Sequence, residues 1–515
     1  MMRLPSLMYY TKLMAKDEEA SGLLSEFSEY KDQKEFSGRT EGDYYSIASP
    51  TREATMINDH SIWDELVSIL HYSIPLIITF LVGFGNRVWD VWFLGKTGSR
   101  DMAVASLGYL FATVAGVSMG TGILTAIDTL VAQAFTGAKN PHTIGVIFQR
   151  GLAIMFVFGS LISILWVNAE FILVSMGQDP ELTSMAQTYI IFSIPYLFLS
   201  YANTTIRKFL QSIGEMKITM YIVFILFPIN IVSNHFFLIY LNLSYIGAAL
   251  HVSLISFLFL LSYIIYLTYF SPALKSFWPG LTKEAFHGWS EFLKLGIPGM
   301  LSVSTDWAFE VCALLTGVLG QTSLAAQSVV LTINTLLLMI PAGFSTGMAV
   351  RLGHLLGANE PRKAKLCVIL STCSGAFFTL FNSSLLYVYR ETIANHFSTD
   401  SDVIEAIVQL LTVACLCHFI MGFGIVLSCT LNALGKQTIV AGLNLVSYYL
   451  IGLPSGLYLT YRCQWGLEGI WSGVAVSGII KSVCELIVIF YIIDWDHECK
   501  LAANRVNNQE YTLVA

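Results

Sequence analysis

Residues 136–141 read TGAKNP, and residues 356–361 read LGANEP. A similar spacing, about 221 residues, separates three further pairs of related segments in the same order. These pairs are LGKTGSRDMAVAS (94–106) and TGVLGQTSLAAQS (316–328), QSIGEM (211–216) and NALGKQ (432–437), and YIGAAL (245–250) and LEGIWS (467–472). Each match is weak by itself, but a constant offset at four places indicates that the chain contains two copies of one structural unit.

The composition places both copies in a membrane. Only 12% of the 515 residues are charged, about half the fraction of roughly 25% that is usual for soluble domains. Twelve segments are apolar over the ~20 residues that a helix needs to cross a bilayer, and they lack the alternation of a β-barrel strand. The predicted spans are 66–94, 102–134, 144–168, 184–205, 218–240, 245–270, 290–317, 323–350, 365–389, 402–430, 437–460 and 467–494.

Six spans fall in each copy, so the sequence predicts an all-α polytopic membrane protein with twelve transmembrane helices in two six-helix lobes. Because six is even, both copies face the same way, and a pseudo-twofold axis along the membrane normal should relate them. A cavity between two such lobes can open to either side in turn. The predicted organisation is a disordered cytoplasmic tail (1–60), a first lobe (61–271), a cytoplasmic linker (272–289), a second lobe (290–495) and a cytoplasmic C-terminal tail (496–515).

Charges outside the spans predict the orientation and the location. If the N-terminus is cytoplasmic, thirteen Lys and Arg residues face the cytoplasm against four on the opposite side, so both termini are predicted to be cytoplasmic. The net charge of −7, with no basic tail, argues against nucleic acid as a partner.

The segment EEASGLL carries an acidic dileucine pattern (Glu19, Leu23 and Leu24) of the kind that sorting adaptors read. It favours the membrane of a vacuole or a similar acidic compartment over the plasma membrane, and we expect a monomer.

The segment LSVSTDWAFEV (301–311) places two carboxylates inside the seventh span. Asp306 and Glu310 are four residues apart and therefore share one helix face. An ionised acid at the centre of a membrane helix costs roughly 2.5–3.5 kcal/mol, and burial together with mutual repulsion favours protonation of at least one of the pair. The repeat offset carries Asp90 of the first span to a position next to Glu310, which predicts acids on both walls of a central cavity. A local pair between Arg87 and Asp90 is the alternative.

Other polar residues in the spans are secondary candidates for the cavity. Asp128 and Thr129 of the second span are more typical of hydrogen bonds between helices than of ligand binding, and the candidate Gln133 lies with them toward the inner part of that helix. The nine cysteines form no CxxC framework, and the run CLCH (415–418) is typical of core packing, so we expect neither a metal site nor a cofactor. The remaining candidates are Thr305, Trp307, Asn334, His418 and Asn444, for which helix packing is the simpler interpretation.

Several long segments resemble the multidrug and toxic compound extrusion (MATE) family, in its eukaryotic, fungal-like branch. The resemblance covers roughly residues 65–490 and rests on motifs in family order. They are AIDTLVAQAFTGAKN (126–140), GVIFQRG (145–151), RKFLQSIG (207–214), GIPGMLSVSTDWAFEV (296–311), PAGFSTGMAVRLGHLLGANEPRKAK (341–365), LGKQTIVAGLNLVSYYLIGLP (434–454) and GLEGIW (466–471). The resemblance implies a twelve-helix, two-lobe exporter that works by alternating access. It also implies the exchange of protons, or less often sodium ions, for small organic solutes, commonly cationic.

The chain departs from that family at positions that the resemblance assigns to ion coupling. Aligned on Glu310, the first acid that eukaryotic relatives carry on the seventh helix falls on Thr305, and Asp306 stands one residue away, about 100° around the helix. A further acid of the tenth helix falls on Met421. His418 lies one turn from that position and is a candidate substitute.

Asp90 resembles an aspartate that takes part in ion coupling in prokaryotic relatives. The hypothesis from the sequence is therefore a proton-coupled antiporter in which Asp306, Glu310 and Asp90 bind either protons or a cationic substrate. One alternative is an exporter of organic anions or lipid-linked molecules on the same fold, for which Arg87 is the evident cationic group in the first span. Sodium-coupled exchange is another. A membrane-embedded transferase with His418 as base is the third, and the internal repeat argues against it.

Overall fold

The computed structural model describes residues 62–305 and 321–511. Six residues that the sequence singles out lie outside these ranges: the sorting pattern Glu19, Leu23 and Leu24, and the candidates Asp306, Trp307 and Glu310.

Shorter helices are Ala169–Ser175, Pro272–Phe277, Lys283–Phe286 and Arg390–Phe397. The long helices are α1 (Ile62–Gly95), α2 (Ser99–Gly137), α3 (His142–Val167), α4 (in two parts, Pro180–Phe192 and Ile194–Ser212), α5 (Met216–Tyr240), α6 (Ser244–Phe270), α7 (Trp289–Thr305), α8 (Gln321–Gly357), α9 (Pro361–Val388), α10 (Ser401–Ala433), α11 (Gln437–Tyr461), α12 (Leu467–Ile492) and α13 (Trp495–Tyr511).

The described helices follow the predicted membrane spans. Ten helices are long and apolar enough to cross a bilayer, and the two parts of α4 together make an eleventh such segment. The remaining predicted span, 290–317, is represented by α7, which is the part of it that the structure describes. Helices prevail because a membrane offers no water to satisfy exposed backbone groups, and an α-helix satisfies its own.

Two spans are bent, and each bend has a local cause. The parts of α4 meet at Ser193 with an angle of 48°, where Pro195 opens the second part without an N–H to donate to the preceding turn. In α2 the segment Thr113–Val117 is a π-helix. A neighbouring helix satisfies a carbonyl there, since Tyr201 Oη donates to Gly116 O at 2.8 Å.

The helix pairings of the first six spans recur in the second six. In the first lobe α1 packs on α5, α3 on α4, and α4 on α6. In the second lobe α7 packs on α11, α9 on α10, and α10 on α12. Between the lobes α1 packs on α8 and α2 packs on α7, which are the two contacts that a twofold axis exchanges. The repeat in the sequence is therefore also a repeat in packing.

Glycines bring helices of the two lobes into close contact. A Cβ atom on Gly122 of α2 would lie 2.4 Å from Met300 Cα of α7, and one on Gly343 of α8 would lie 2.6 Å from Ile77 Cα of α1. Gly122 and Gly343 are 221 residues apart, so the sequence repeat relates the two contacts. Small residues permit this approach between membrane helices, whose association relies on close packing because lipid is as apolar as the helices themselves.

The lobes are hydrogen-bonded to each other at one end of the bundle, which we call the inner end because it carries residues 138–141 of a predicted cytoplasmic loop. Thr136 Oγ1 of α2 donates to the carbonyl of His354 in α8 at 2.7 Å. Gln133 Nε2, one turn earlier in α2, donates to the carbonyl of Ala433 in α10 at 2.9 Å. These bonds close the inner end along α2.

An ion pair joins the lobes on the other side of the same end. Glu65 of α1 accepts two hydrogen bonds from Arg351 of α8, at 2.9 Å from Nε and 2.7 Å from Nη2. The fork of a guanidinium matches a carboxylate in this geometry. His354 Nε2, one turn further along α8, lies 2.7 Å from the carbonyl of Ser212 at the end of α4.

The predicted C-terminal tail (496–515) contains α13, which packs across the inner end. Its apolar face is fully buried at Cys499 and Ala502 and is 3% exposed at Val506. Cys499 and Ala502 belong to a hydrophobic core that includes Leu356 of α8 and Val440 of α11. This part of α13 is therefore anchored on the second lobe.

The last two turns of α13 contact the first lobe as well. Arg505 Nη1 donates to Gln133 Oε1 of α2 at 3.3 Å, while its Nη2 donates to the carbonyl of Leu434 at 3.0 Å. Glu510 Oε1 accepts a hydrogen bond from the backbone N–H of Lys139 at 2.6 Å. One guanidinium thus bonds to both lobes.

Candidate functional site

A carboxylate of α1 lies in a hydrogen-bonded cluster inside the first lobe. Asp90 Oδ1 accepts a hydrogen bond from Asn234 Nδ2 of α5 at 2.7 Å, and His251 Nε2 of α6 lies 3.3 Å from the same oxygen. The Asn234 amide also donates to Asn230 Oδ1 at 2.6 Å. Three helices therefore converge on one carboxylate oxygen.

The imidazole of the cluster is held from both sides. Ser233 Oγ lies 2.9 Å from His251 Nδ1. The side chain of His251 is 2% exposed, whereas that of Asp90 is 31% exposed. The carboxylate is thus the accessible member, and the histidine is buried behind it. Below, the Asp90 cluster means Asp90, Asn230, Ser233, Asn234 and His251.

The surroundings of Asp90 differ from the local pair with Arg87 that the sequence left open. Arg87 is exposed, and within the described part of the chain the side chains that reach Asp90 are those of Asn234 and His251. The contacts of Asp90 therefore come from α5 and α6 and not from its own helix.

In the second lobe, two of the predicted candidates form a buried pair. His418 Nδ1 of α10 lies 2.9 Å from Asn334 Oδ1 of α8. His418 is fully buried and Asn334 is 3% exposed. Met421, where relatives are expected to carry an acid, contacts the same pair through its sulfur, 4.0 Å from Asn334 Nδ2. The pair joins α8 to α10 within one lobe.

Two further candidates support α7 just before residue 306. Thr305 Oγ1 donates to the carbonyl of Ser302 in its own helix at 2.6 Å. Asn444 of α11 donates to the same carbonyl at 3.1 Å and lies 3.2 Å from Ser302 Oγ. Asn444 therefore fixes α7 to α11 one turn before the segment that carries Asp306 and Glu310.

The candidates of α2 lie at the boundary between the lobes. Asp128 forms an ion pair with Lys208 of α4. Gln133 is fully buried and bonds to both α10 and α13, as described above. Asp128 and Gln133 both make contacts between helices in the structure.

A family model described as MatE matches residues 75–236 and 299–457, the greater part of the chain and both lobes. The chain belongs to the MATE family. It is 30% identical over 433 residues to multidrug and toxin extrusion protein 1 of Homo sapiens, covering 84% of this chain and 75% of that protein. It is 31% identical over 451 residues to protein DETOXIFICATION 16 of Arabidopsis thaliana, covering 87% and 92%. An uncharacterized transporter of Schizosaccharomyces pombe is 31% identical over 463 residues, covering 89% and 85%.

Solved MATE structures share the fold. The crystal structure of the eukaryotic MATE transporter AtDTX14 matches with a TM-score of 0.80 at 24% identity, over 86% of this chain and 99% of that chain. An outward-facing multidrug resistance MATE transporter matches with a TM-score of 0.72 at 16% identity, over 87% and 97%. The predictions of the family and of twelve helices in two lobes are confirmed. MATE proteins are transporters of small organic solutes, so the transferase alternative is wrong.

The structure of this MATE transporter also contains polar groups that the sequence alone does not mark as site residues. Asn230, Asn234 and His251 build the Asp90 cluster. Asn230 and Asn234 are four residues apart and share one face of α5, but nothing local marks them or His251 as partners of Asp90. Lys481 and Glu485 of α12 carried a usable signal, because two opposite charges four residues apart in an apolar helix share one face.

Proposed function

We propose that this MATE transporter exports small organic cations in exchange for protons. The observation that supports this most directly is the Asp90 cluster, in which an accessible carboxylate is hydrogen-bonded to a buried imidazole. Ionisable residues are costly to bury inside membrane spans and are therefore rare there. Those that occur commonly mark ion and substrate pathways.

A carboxylate can couple the two fluxes by binding one partner at a time. The hydrogen bonds from Asn234 and His251 both reach Oδ1 of Asp90, so Oδ2 is the oxygen to which a proton or a cation would add. Protonation removes the charge that holds an organic cation, and the cation then leaves. Coupling of this kind needs only that proton and substrate bind the same group with opposite preference.

The contacts at the inner end support a cycle in which that end opens and closes. The inner end is held by the bonds of Gln133 and Thr136, by the Glu65–Arg351 pair and by the last turns of α13. In alternating access these bonds break when the lobes separate on the inner side. The first turns of α13 stay with the second lobe, on whose core they are anchored.

Sodium is the main alternative to the proton as coupling ion. Sodium would need oxygen ligands at the Asp90 cluster, but the amide nitrogen of Asn234 stands between two of its oxygens, at 2.7 Å from Asp90 Oδ1 and 2.6 Å from Asn230 Oδ1. The amide would have to turn its oxygen inward to coordinate sodium.

Export of organic anions or lipid-linked molecules is less well supported, because the accessible group of the cluster is an acid.

A transport assay in proteoliposomes tests the proposal. An imposed pH gradient should drive accumulation of a fluorescent organic cation, and Asp90→Asn should abolish the proton-driven component. Glu181→Gln is the matched control, because Glu181 is an exposed acid paired with Arg100 at the opposite end of the bundle. Accumulation that follows a sodium gradient and ignores the pH gradient would overturn proton coupling. Wild-type transport by Asp90→Asn would overturn the role of the cluster.

We assign this activity to the membrane of an acidic, vacuole-like compartment, on the evidence of the EEASGLL segment alone. There the proton gradient would drive cations into the lumen. Replacing Leu23 and Leu24 by alanine should move a fluorescently tagged protein to the plasma membrane, because the sorting adaptor would no longer bind. Surface location of the tagged wild-type chain would contradict this assignment.

A further inference from the structure

A lysine and a glutamate lie inside α12, one helical turn apart. Lys481 is 6% exposed and Glu485 is fully buried. The distance between Lys481 Nζ and Glu485 Oε1 is 4.0 Å. A charged residue near the centre of a membrane helix costs roughly 2.5–3.5 kcal/mol on insertion scales. Neutral polar side chains would join the helices with a smaller penalty, so two charges in α12 call for a charge-dependent role.

Both charges of α12 contact neighbouring helices of the second lobe. Ser428 Oγ of α10 donates to Glu485 Oε1 at 2.7 Å. The ring centroid of Tyr448 in α11 lies 5.5 Å from Lys481 Nζ. The carboxylate and the ammonium are therefore placed where α10, α11 and α12 meet, and an aromatic ring adjoins them.

A second pair faces them from the first lobe. Asp128 of α2 and Lys208 of α4 form an ion pair whose side chains are 29% and 11% exposed. The residue after Asp128 already touches the second lobe, because Thr129 Oγ1 donates to the carbonyl of Asn432 in α10 at 2.8 Å. Asn432 is one turn beyond Ser428, the partner of Glu485.

Contacts along α10 bring the two pairs to the same part of the bundle. Ser428 bonds to Glu485, and Asn432, one turn later, accepts from Thr129, the residue that follows Asp128. Two carboxylates and two ammonium groups thus lie near the boundary between the lobes, about one turn from the contact between Thr129 and Asn432.

Each pair belongs to a single lobe. When the lobes separate, Asp128 keeps Lys208 and Glu485 keeps Lys481, so no buried charge is left without its counterion. The Glu65–Arg351 pair is different, because it joins α1 to α8 and must break. The two intralobe pairs are therefore suited to line the walls of a vestibule that opens at the inner end.

We propose that the Asp128–Lys208 and Lys481–Glu485 pairs form a second binding site for organic cations, on the inner half of the path between the lobes. This inference rests on the proposed export of cations. In this second site an organic cation competes with Lys208 for Asp128 and with Lys481 for Glu485. The ring of Tyr448 adds a cation–π contact. The site is separate from the Asp90 cluster, which is built from α1, α5 and α6.

Binding of tetraphenylphosphonium to the purified full-length protein tests the site. The Asp90→Asn variant serves as background, so that the first-lobe cluster does not contribute. In that background Glu485→Gln should weaken binding at least tenfold, because the charge that attracts the cation is gone. Lys481→Met should tighten binding several-fold, because the built-in competitor is gone. The double variant Lys481→Met/Glu485→Gln should bind as weakly as Glu485→Gln and melt near the temperature of the background, since it leaves no unpaired charge.

Glu360→Gln is the matched control, because Glu360 and Lys363 form a lysine–glutamate pair at 2.7 Å on the inner end but outside the path. Equal dissociation constants for the background, Glu485→Gln and Lys481→Met would overturn the site while leaving the proposed exchange intact. If Glu485→Gln does not fold, the double variant takes its place, and a dissociation constant equal to that of the background would overturn the site. Altered binding in these variants, with no proton-driven flux in the wild type, would overturn the exchange and keep the site. A wild-type protein that binds no cation would overturn both.

Discussion

His251 Nε2 lies 3.3 Å from Asp90 Oδ1, so an imidazole and a carboxylate meet inside the first lobe although 161 residues separate them in the chain. Ser233 Oγ, 2.9 Å from Nδ1, can donate to a neutral ring or accept from a protonated one, since a hydroxyl does both. Ser233 therefore keeps its contact with Nδ1 in either protonation state of the ring. This makes the histidine a suitable partner for a carboxylate that exchanges a proton.

The first prediction concerns that histidine. Replacing His251 by glutamine removes the imidazole that lies 3.3 Å from Asp90 Oδ1, and we expect proton-driven cation transport to fall about tenfold. The loss of a hydrogen bond to a charged group costs roughly 1.5–3 kcal/mol, which corresponds to a tenfold change or more. The measurement is the initial uptake rate in proteoliposomes under a fixed pH gradient. His396→Gln, at an exposed histidine, should match the wild type. A His251→Gln rate equal to that of the control would contradict the prediction.

The second prediction ranks the two acids of the seventh span, which lie outside the described residues. Glu310→Gln should reduce transport more than Asp306→Asn, because the sequence repeat predicts that Glu310 corresponds to Asp90 and the family resemblance implies an acid at that position. The assay is the same uptake rate, with the amount of protein in the liposomes determined for each variant. A larger loss in Asp306→Asn would show that this chain couples through the displaced acid.

The spans and the repeat could be predicted because they depend on properties that a single sequence contains. Apolar length determines where a helix crosses the bilayer. The offset of about 221 residues between repeated segments reappears in the structure as the equivalent contacts of Gly122 and Gly343. Both follow from local composition and from spacing along the chain.

The partners of the site residues could not be predicted, because they depend on how distant helices pack. Arg87 was the evident neighbour of Asp90 in the sequence, yet Asn234 and His251 from other helices are the side chains that reach it. The sequence predicts a tail over 496–515, where the structure has α13. Its buried residues, Cys499, Ala502 and Val506, recur at a helical period and were a signal for a packed helix.

The third prediction tests the close contact between the lobes. Gly122→Ala and Gly343→Ala should each lower the thermal midpoint, because the new methyl group would lie 2.4 or 2.6 Å from the backbone of the opposite lobe. Overpacking of this kind costs about 1–3 kcal/mol. The midpoint can be followed by the fluorescence of a thiol-reactive dye in detergent. Gly83→Ala and Gly442→Ala are matched controls, since a Cβ atom there meets nothing within 4 Å. Equal midpoints for all four variants would refute the packing argument.

The fourth prediction concerns α13 as a strap across the inner end. Arg505→Ala removes the guanidinium that bonds to Gln133 of the first lobe and to Leu434 of the second. We expect faster hydrogen–deuterium exchange in peptides that cover residues 133–141, because the inner end opens more often. Glu510→Ala should act on the same peptides, since Glu510 accepts from the backbone N–H groups of Lys139 and Asn140.

The control for α13 is an exposed residue of the same helix. Asn508→Ala should leave the exchange of residues 133–141 unchanged, because Asn508 faces solvent. Peptides from the middle of α9 should be unaffected in all three variants and serve as an internal reference. Uniformly faster exchange over the whole chain would indicate general destabilisation, and unchanged exchange in Arg505→Ala would refute the strap.

The fifth prediction concerns the Glu65–Arg351 pair, which must break when the inner end opens. Glu65→Gln leaves a largely buried guanidinium without its carboxylate, and removal of one partner from such a pair costs about 3–5 kcal/mol. The thermal midpoint should therefore fall clearly. The double variant Glu65→Leu/Arg351→Met should regain most of that loss, because well-packed apolar side chains replace both charges. If the double variant is no more stable than Glu65→Gln, the loss comes from packing around α1 and not from the unpaired charge. A regained midpoint would assign it to the ion pair that joins the lobes.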